Sequence, residues 1–265
     1  MNDENKNLYL NRALNVRKRM LIVGEKCDEQ IHWGGALSSI EIMTYLAFEH
    51  IQNDDFVVMS KGHAALAVYS AFEEARLIPE GSCMSFQENG GFYTEELEYN
   101  REIGINCSTG SLGLGLSFCV GKAIRYKREN DSRTVFCVVG DGECDEGSIW
   151  EATMLAAQQN LDNLILIIDC NGLQLCGPTK DIISMEGLEH RFESFGWKSV
   201  VINGHDFCEI ENAIKTKHDT HPLAIIANTV KGKGISFMEN NPIWHDRKMN
   251  ASEIKQVKEE LRIKE

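Results

Sequence analysis

The sequence predicts an α/β fold in which a mostly parallel sheet is covered by helices on both faces. The runs "VFCVV" and "LILII" are apolar throughout, as strands are when both faces of a parallel sheet are covered. Such runs alternate with helical patterns from about residue 113 onward. Since 265 residues lie near the upper limit for one hydrophobic core, we expect a single domain over residues 1–265.

The first half of the chain contains fewer regular elements. Apolar residues at helical spacing predict a helix over residues 8–27, and the loop after it carries His32 into a second helix. A short strand over residues 56–59 leads through a turn into a helix that starts at about Ala64. Residues 79–107 are polar and weakly periodic, so we expect a long surface excursion there.

The second half alternates regularly between helices and strands. Helices are expected over 113–128 and 148–159, near residue 188, from Asp206 and from about Ser252. Strands are expected over 134–139, 163–169, 197–202 and 223–228. Ser148 with Glu151, and Asp206 with Glu209, have the spacing of capping boxes, which predicts helix starts at both places and a partly structural role for Glu151.

Composition and charge exclude several classes of protein. The net charge of −13 argues against nucleic acid or an anionic membrane as the main partner. No apolar run reaches the roughly 18 residues that a membrane span requires, and the N-terminus is polar and acidic rather than a signal peptide. The nine cysteines are scattered without C-x-x-C spacing, which indicates buried thiols in a reducing compartment. We therefore expect a cytoplasmic protein.

The segment "VVGDGECDEG", residues 138–147, combines a glycine turn after a strand with four carboxylates. Glycine turns at strand ends favour phosphate binding, whereas carboxylates repel a diphosphate. Asn171 follows the next strand thirty residues after Asp141, so both side chains should lie at one edge of the sheet. A carboxylate and an amide oxygen suit Mg²⁺, which in turn binds phosphate. By contrast, we interpret Glu143 and Asp145 as solvated loop charges.

Five longer motifs extend this pattern, in the order "SKGHAALAVYSAF", "STGSLGLGLS", "GDGECDEGSIWEA", "IIDCNGLQ" and "TVKGKGISFMENNPIWH". With them the sequence resembles the thiamine diphosphate enzymes and, within that group, transketolase, over about residues 10–250. It is similar only to the N-terminal, diphosphate-binding half of a full-length transketolase, and it matches the class in which that half is a separate chain. The resemblance implies transfer of a two-carbon ketol unit from a ketose donor to an aldehyde acceptor.

The resemblance also implies roles for individual residues. Mg²⁺, for which Ca²⁺ or Mn²⁺ could substitute, would be bound by Asp141, Asn171 and the main-chain carbonyl of Leu173. The residues expected to bind thiamine diphosphate are Lys61, His63, Gly110, Ser111, Leu112, Gly140, Asp141, Gly142, Asn171, Lys231 and His245. The catalytic residues expected to line the cofactor and substrate channel are His32, His63 and His245. Two acids are expected in a hydrogen-bonded network across a subunit interface, Glu146 and Glu151.

Two features of a complete transketolase are missing from the sequence. The pyrimidine-binding domain, which carries the glutamate that activates the cofactor, would reside on a second chain. We therefore expect a chain that is inactive alone and assembles into an α2β2 heterotetramer. No histidine occurs between His63 and His190, where transketolases carry one that contacts the donor's hydroxyl. The segment "ENGGFYTEELEYNREIGIN" stands in its place, with Phe92 or a neighbour at the site, so we expect a specialised ketose rather than ordinary pentose phosphates.

Two alternatives to a transketolase subunit remain open on the sequence alone. A split 2-oxoacid decarboxylase component would share the GDG turn and Asn171, but it should lack the pairing of "SKGHA" with "STGSLG". A non-catalytic regulatory subunit would keep the fold without turnover, although such a chain should have lost some of the metal ligands and histidines. The histidines outside these motifs are interpreted as structural, namely His50, His190, His205, His218 and His221.

Overall fold

The computed structural model describes residues 1–263, and its centre is a parallel sheet. The strands are β1 (Phe56–Met59), β2 (Val135–Gly140), β3 (Leu164–Cys170), β4 (Lys198–Asn203) and β5 (Leu223–Asn228). They are arranged in the order β1-β2-β3-β5-β4, and every neighbouring pair is parallel. The carboxyl ends of all these strands therefore lie at one edge of the sheet.

Helices cover both faces of this sheet. They are α1 (Asp3–Lys26), α2 (Trp33–Ser38), α3 (Ile40–Glu49), α4 (Ala65–Glu74), α5 (Leu114–Glu129), α6 (Gly147–Gln158), α7 (Thr179–Ile182), α8 (Leu188–Ser194), α9 (Phe207–Ile214) and α10 (Ala251–Glu260). One face packs against α1, α3, α4 and α9, and the other against α5, α6 and α8. Alternate residues of β2 point into the two cores, with Phe136 on the first side and Cys137 on the second. The predicted fold class is confirmed.

The register of the sheet determines which loops meet at its carboxyl edge. Gly140 at the end of β2 is opposite Asp169 of β3, and Cys170 of β3 is opposite Asn228 of β5. The loops that follow β2, β3 and β5 therefore leave the sheet side by side. This confirms that the GDG turn and the "DCNG" segment are neighbours, as the thirty-residue spacing predicted.

Most predicted elements lie within two residues of their expected bounds, and α1 is the clearest difference because it begins at Asp3 rather than at residue 8. The Asn2 side chain caps this start by accepting a hydrogen bond from the Asn5 N–H at 2.8 Å. β4 lies at the sheet edge, so it is less covered than its apolar sequence suggested, and Val201 is 50% exposed.

Only one of the two predicted capping boxes caps a helix. The box at Ser148 was wrong, because α6 already begins at Gly147 and the Ser148 hydroxyl instead donates to the Gly113 carbonyl at 3.0 Å. Asp206 does cap α9, since its carboxylate accepts hydrogen bonds from the N–H groups of Cys208 and Glu209. The Glu209 side chain accepts a hydrogen bond from the Asn203 N–H at 2.7 Å. It does not accept one from the Asp206 N–H, so the second hydrogen bond of a capping box is not formed.

The excursion over residues 79–107 is packed onto the protein rather than lying loosely on its surface, which corrects the expectation. It contains a 3₁₀ turn, Ser82–Ser85, and no strand of the sheet. Several of its side chains are buried in the first core, namely Cys83, Phe86, Tyr93, Leu97, Ile103 and Ile105. The Tyr93 ring contacts the Tyr69 ring of α4 edge to face, with centroids 5.1 Å apart. This packing holds the polar residues of the excursion in defined positions.

Two expectations from composition concern the core and the membrane. All nine cysteines are free thiols. Of the three that lie in apolar runs and were expected to act as small hydrophobic residues, Cys119 and Cys137 are fully buried, whereas Cys170 is only partly buried. Within residues 1–263, no helix has the length and apolar character that crossing a bilayer demands.

Candidate functional site

A pocket of about 260 Å³ opens at the carboxyl edge of the sheet. It is formed by the loops that follow β1, β2, β3 and β5, together with the start of α2. The predicted site residues that line it are Lys61, His63, Leu112, Gly140, Asp141, Gly142, Asn171, Leu173, Lys231 and His245. The structure thus gathers into one pocket residues that are up to 184 positions apart in the chain, from Lys61 to His245.

Asp141 is 5% exposed and sits at the bottom of the GDG turn. Its carboxylate accepts hydrogen bonds from the N–H groups of Gly142 at 2.9 Å and Gly172 at 2.7 Å, and from the Thr179 hydroxyl at 3.2 Å. Burial, and next the negative charge of Asp169, raise the pKa of the Asp141 carboxyl above its usual range. A cation beside this carboxylate would stabilise its ionised form.

The loop after β3 supplies the other two predicted metal ligands. The Asn171 amide oxygen accepts a hydrogen bond from the Leu173 N–H at 3.1 Å, which orients this side chain. The Leu173 carbonyl oxygen accepts one from the Lys231 ammonium at 3.0 Å. A carboxylate, an amide oxygen and a main-chain carbonyl therefore line one pocket, and such a set of hard oxygen donors fits Mg²⁺.

The two predicted lysines are both buried and make different contacts. Lys61 donates to the Gly35 carbonyl at 2.7 Å and forms an ion pair with Asp169, whose carboxylate also accepts from the hydroxyls of Ser38 and Thr229. Lys231 also donates to the His245 ring at 2.9 Å. Burial and the positive charge of Lys61 lower the pKa of Lys231 to about 8.

The three predicted catalytic histidines form a cluster beside the pocket. Ring centroids are 5.3 Å apart for His32 and His63, 5.4 Å for His32 and His245, and 5.8 Å for His63 and His245. Burial, followed by the charge of Lys61, holds the pKa of His63 well below its usual value. Burial and the charge of Lys231 lower the pKa of His245 to about 4. His63 and His245 are therefore neutral at pH 7 and can each donate one hydrogen bond and accept another.

Glu143 is the clearest residue that sequence reasoning missed. It is buried rather than solvated, and its carboxylate accepts hydrogen bonds from the Ser60 hydroxyl, the Gly113 N–H at 2.9 Å and the Gly140 N–H at 3.2 Å. Asp145 is also partly buried and accepts from the Gln174 amide at 2.7 Å, so both predictions of solvated charges were wrong. No local pattern marks most of these contacts, because Ser60, Gly113 and Gln174 lie in other segments.

Asp169 was missed for a different reason, because a usable signal existed in the sequence. It interrupts the apolar run of β3, and a carboxylate inside a buried strand is stable only when it is paired. Its partner Lys61 follows β1, which β2 separates from β3 in the sheet. His205, interpreted as structural, does hold two segments together: its ring contacts Glu41 at 2.9 Å and accepts from the Val230 N–H at 2.9 Å.

The remaining predicted residues lie at the rim of the site or on the surface. Gly110 has φ +124°, a conformation that favours glycine, and the neighbouring Ser111 is exposed. Glu146 and Glu151 are exposed at the start and on the outer face of α6. They stay predicted interface residues.

The excursion places two glutamates at the site where Phe92 or a neighbour was expected. Phe92 is 55% exposed, whereas Glu95 lies 3.0 Å from the His32 ring nitrogen Nδ1. Glu96 lies against Gly62 and Gly110, close enough that its carboxylate oxygen would contact a side chain at either glycine. Burial, and next the charge of Glu95, raise the pKa of Glu96 to about 7. The segment without histidine thus brings carboxyl groups to the histidine cluster.

The sequence matches the family model of the transketolase thiamine diphosphate-binding domain over residues 43–265. One of the subunits of the apulose-4-phosphate transketolase from Actinobacillus succinogenes is 36% identical to this chain, over 95% of each protein. A subunit of a 6-deoxy-6-sulfo-D-fructose transketolase from Clostridium sp. (strain MSTE9) is 35% identical, over 87% of this chain and 88% of that protein.

Solved structures agree with these sequence relationships. Transketolase from Campylobacter jejuni superposes with a TM-score of 0.83 at 28% identity, over 99% of this chain and 43% of the other. Transketolase from Leishmania mexicana shares the fold, with a TM-score of 0.84 at 22% identity, over 96% of this chain and 41% of the other. This chain thus spans about two fifths of the length of those solved transketolases. From the family model and the relatives together, it belongs to the transketolase thiamine diphosphate-binding domain family.

Proposed function

We propose that this chain is the thiamine diphosphate- and Mg²⁺-binding subunit of a two-component transketolase, which moves a two-carbon ketol unit from a ketose to an aldehyde. The observation that carries the proposal is the pocket in which Asp141, Asn171 and Leu173 offer oxygen ligands close to a histidine cluster. Membership of the family, and relatives named as transketolase subunits, favour this function over a 2-oxoacid decarboxylase component or a regulatory subunit.

In this function, different residues of the pocket have different roles. Asp141, Asn171 and the Leu173 carbonyl would hold Mg²⁺. Gly140 and Gly142 have no side chains, so the main chain at these two positions could approach the diphosphate closely. Thiamine diphosphate, when bound, supplies the electron sink for ketol transfer. The neutral histidines of the cluster would exchange hydrogen bonds with hydroxyl and carbonyl oxygens of the substrate.

Alanine at Asp141 is expected to weaken the binding of thiamine diphosphate at least tenfold, because the cation that bridges to the diphosphate loses its charged ligand. Isothermal titration of the cofactor into wild type and Asp141→Ala, each with Mg²⁺ and with EDTA, measures the effect. Glu146→Gln, a change to an exposed carboxylate of the same turn, is the control and should bind as wild type. Equal affinity in all conditions would rule out the metal site.

The proposed partner is a second chain that carries the pyrimidine-binding domain and its glutamate, in an α2β2 heterotetramer. Exposed apolar side chains on α5 and α6 offer a surface for assembly: Leu114 is 55% exposed, Phe118 45% and Leu155 46%. Glu151 lies one turn before Leu155 on the same helix, so the predicted interface acids adjoin this apolar surface. Relatives named as subunits support a two-chain enzyme.

Ketol transfer is expected only when this chain and its partner are mixed, because neither alone would complete the site. The test is to assay ketol transfer by each chain alone and by the mixture. Sedimentation gives the mass of each sample in solution and so reports whether the chains assemble. Phe118→Asp should prevent assembly, since it would bury a charge. The matched control is Leu8→Asp on α1, which covers the opposite face of the sheet and should assemble normally. Full activity of this chain alone would contradict the proposal.

The donor in this proposal is a specialised ketose rather than an ordinary pentose phosphate. Glu95 and Glu96, carboxyl groups of the excursion, occupy the neighbourhood of the histidine cluster and would repel an anionic group placed there. The names of the two relatives include apulose 4-phosphate and 6-deoxy-6-sulfo-D-fructose, sugars that each carry an anionic group. If this chain takes a donor of that kind, its anionic group has to bind away from Glu95 and Glu96. The cytoplasmic location stays a prediction from the sequence.

A further inference from the structure

A second group of ligand-type side chains lies beside the histidine cluster, apart from the predicted Mg²⁺ ligands. The ring of His32 and the carboxylates of Glu95 and Asp246 each bring one atom to a common point, and these atoms all lie within 4.8 Å of one another. They come from three distant segments: the residue before α2, the excursion, and the residue after the turn Pro242–His245. All three side chains are partly buried.

Two polar atoms of this group, one from His32 and one from Asp246, are buried without a hydrogen bond within residues 1–263. His32 Nδ1 lies 3.0 Å from the Glu95 carboxylate, yet it is buried and has no partner with hydrogen-bond geometry among residues 1–263. The Asp246 oxygen Oδ1 is likewise buried without a partner in that part of the chain. Leaving such groups buried and unpaired destabilises the folded chain. Atoms that converge without bonding to one another are best satisfied by a shared ligand.

The charges of the group point to a cation. Within residues 1–263, neither the Glu95 nor the Asp246 carboxylate has a lysine or arginine within ion-pair distance. The nearest basic residue in sequence, Arg247, is engaged elsewhere, because its guanidinium pairs with Glu253 at 3.1 Å and stacks on the Trp244 ring at 4.2 Å. Two carboxylates within 4.8 Å of each other repel unless a positive charge lies between them.

We propose that His32, Glu95 and Asp246 bind a divalent transition-metal ion of the Zn²⁺ type. An imidazole nitrogen with two carboxylate oxygens suits Zn²⁺ better than Mg²⁺, which prefers oxygen ligands alone. Three protein ligands leave a coordination position open. Because the metal binds Nδ1, the proton of the neutral ring resides on Nε2, which makes His32 a hydrogen-bond donor.

The open position gives the ion a role in substrate binding, and this part of the inference rests on the proposed function. A ketose presents adjacent hydroxyl and carbonyl oxygens, and either can bind Zn²⁺ as a fourth ligand. The excursion, which lacks the histidine expected of a transketolase, would then recognise the sugar through a metal ion held by Glu95. Binding of the ion itself does not depend on the reaction that the chain catalyses.

Zinc titration of the full chain tests the site. In an Asp141→Ala background without cofactor, we expect one equivalent of Zn²⁺ to bind by isothermal titration, and at least tenfold more weakly after Glu95→Gln or Asp246→Asn. Glu98→Gln, an exposed carboxylate three residues from Glu95, is the control and should leave affinity unchanged. The Co²⁺-loaded chain should show visible absorption without the intense near-ultraviolet band of a thiolate ligand, which excludes the exposed Cys176.

No bound zinc, equal affinity in all variants, or a thiolate spectrum would overturn the proposal. Far-ultraviolet circular dichroism and thermal unfolding check that the variants, including the Asp141→Ala background, are folded. The changes Glu95→Gln, Asp246→Asn and Glu98→Gln keep the size of the side chain. Mg²⁺-dependent binding of thiamine diphosphate, measured on Glu95→Gln in the Asp141 wild-type background, separates the two proposals. Loss of zinc with cofactor binding retained supports both, whereas zinc binding without cofactor binding would reject only the proposed function.

Discussion

Replacing Asp169 with alanine is expected to lower the free energy of unfolding by about 3–5 kcal/mol, because it leaves the Lys61 ammonium buried without its counter-charge. Asp169 is fully buried, and Lys61 is 2% exposed. Although burial opposes it, the charge of Lys61 and hydrogen bonds from Lys61, Ser38 and Thr229 hold the pKa of Asp169 below its usual value. The carboxylate is therefore ionised and is the main compensation for the lysine.

The ion pair also matters for the site, since it connects the loop after β1 with β3 and with α2. Lys61 donates to the Gly35 carbonyl at 2.7 Å, and Ser38 of the same helix donates to Asp169 at 2.6 Å. Loss of Asp169 would remove the contacts that its carboxylate makes with Lys61, Ser38 and Thr229 together. The loss of unfolding free energy should therefore exceed the contribution of a single hydrogen bond.

Chemical denaturation of Asp169→Ala, Lys61→Met and the double variant Lys61→Met/Asp169→Ala measures the coupling. The double variant should be more stable than Asp169→Ala, because apolar groups then replace both charges. Asp162→Ala is the matched control: Asp162 pairs with Lys127 at 2.7 Å on the surface, and its removal should cost less than about 1 kcal/mol. Additive effects of the two single changes would show that the pair is not coupled.

Replacing Glu143 with alanine is also expected to have a large effect and to lower the free energy of unfolding by about 3 kcal/mol. The carboxylate accepts from the Ser60 hydroxyl and from the N–H groups of Gly113 and Gly140, and these donors would be left buried without partners. Burial raises the pKa of the Glu143 carboxyl, although the three donors oppose this. One side chain thus joins the ends of β1 and β2 to the loop before α5.

Urea unfolding of Glu143→Ala, Glu143→Gln and Glu146→Gln measures this effect. Glutamine keeps the shape and one acceptor oxygen, so Glu143→Gln should lose less than the alanine variant. Glu146 is exposed on the isolated chain, and Glu146→Gln should change the stability by no more than about 0.5 kcal/mol. If Glu143→Ala left the free energy of unfolding unchanged, Glu143 would have the solvated role that was expected from the sequence.

Much of the fold and part of the site could be predicted because the relevant signals are local. Apolar runs and helical spacing located the strands and most helices, since each element must bury one face wherever it packs. The pairing of Asp141 with Asn171 was predictable as well, because a strand-helix-strand connection of thirty residues brings neighbouring strand ends to one edge. The capping box at Ser148 failed, because Ser148 donates to Gly113 of another segment.

The sequence by itself therefore determined the order of the elements, the sheet edge that carries the pocket and the meeting of Asp141 with Asn171 at that edge. Only the tertiary structure decided what the buried carboxylates contact. Glu143 meets Ser60 from 83 residues away, Asp169 meets Lys61 from 108, and Glu95 reaches His32 through a packed excursion without periodicity. Such contacts depend on how separate segments pack together, and side-chain charge has no period along the chain that would reveal its partner.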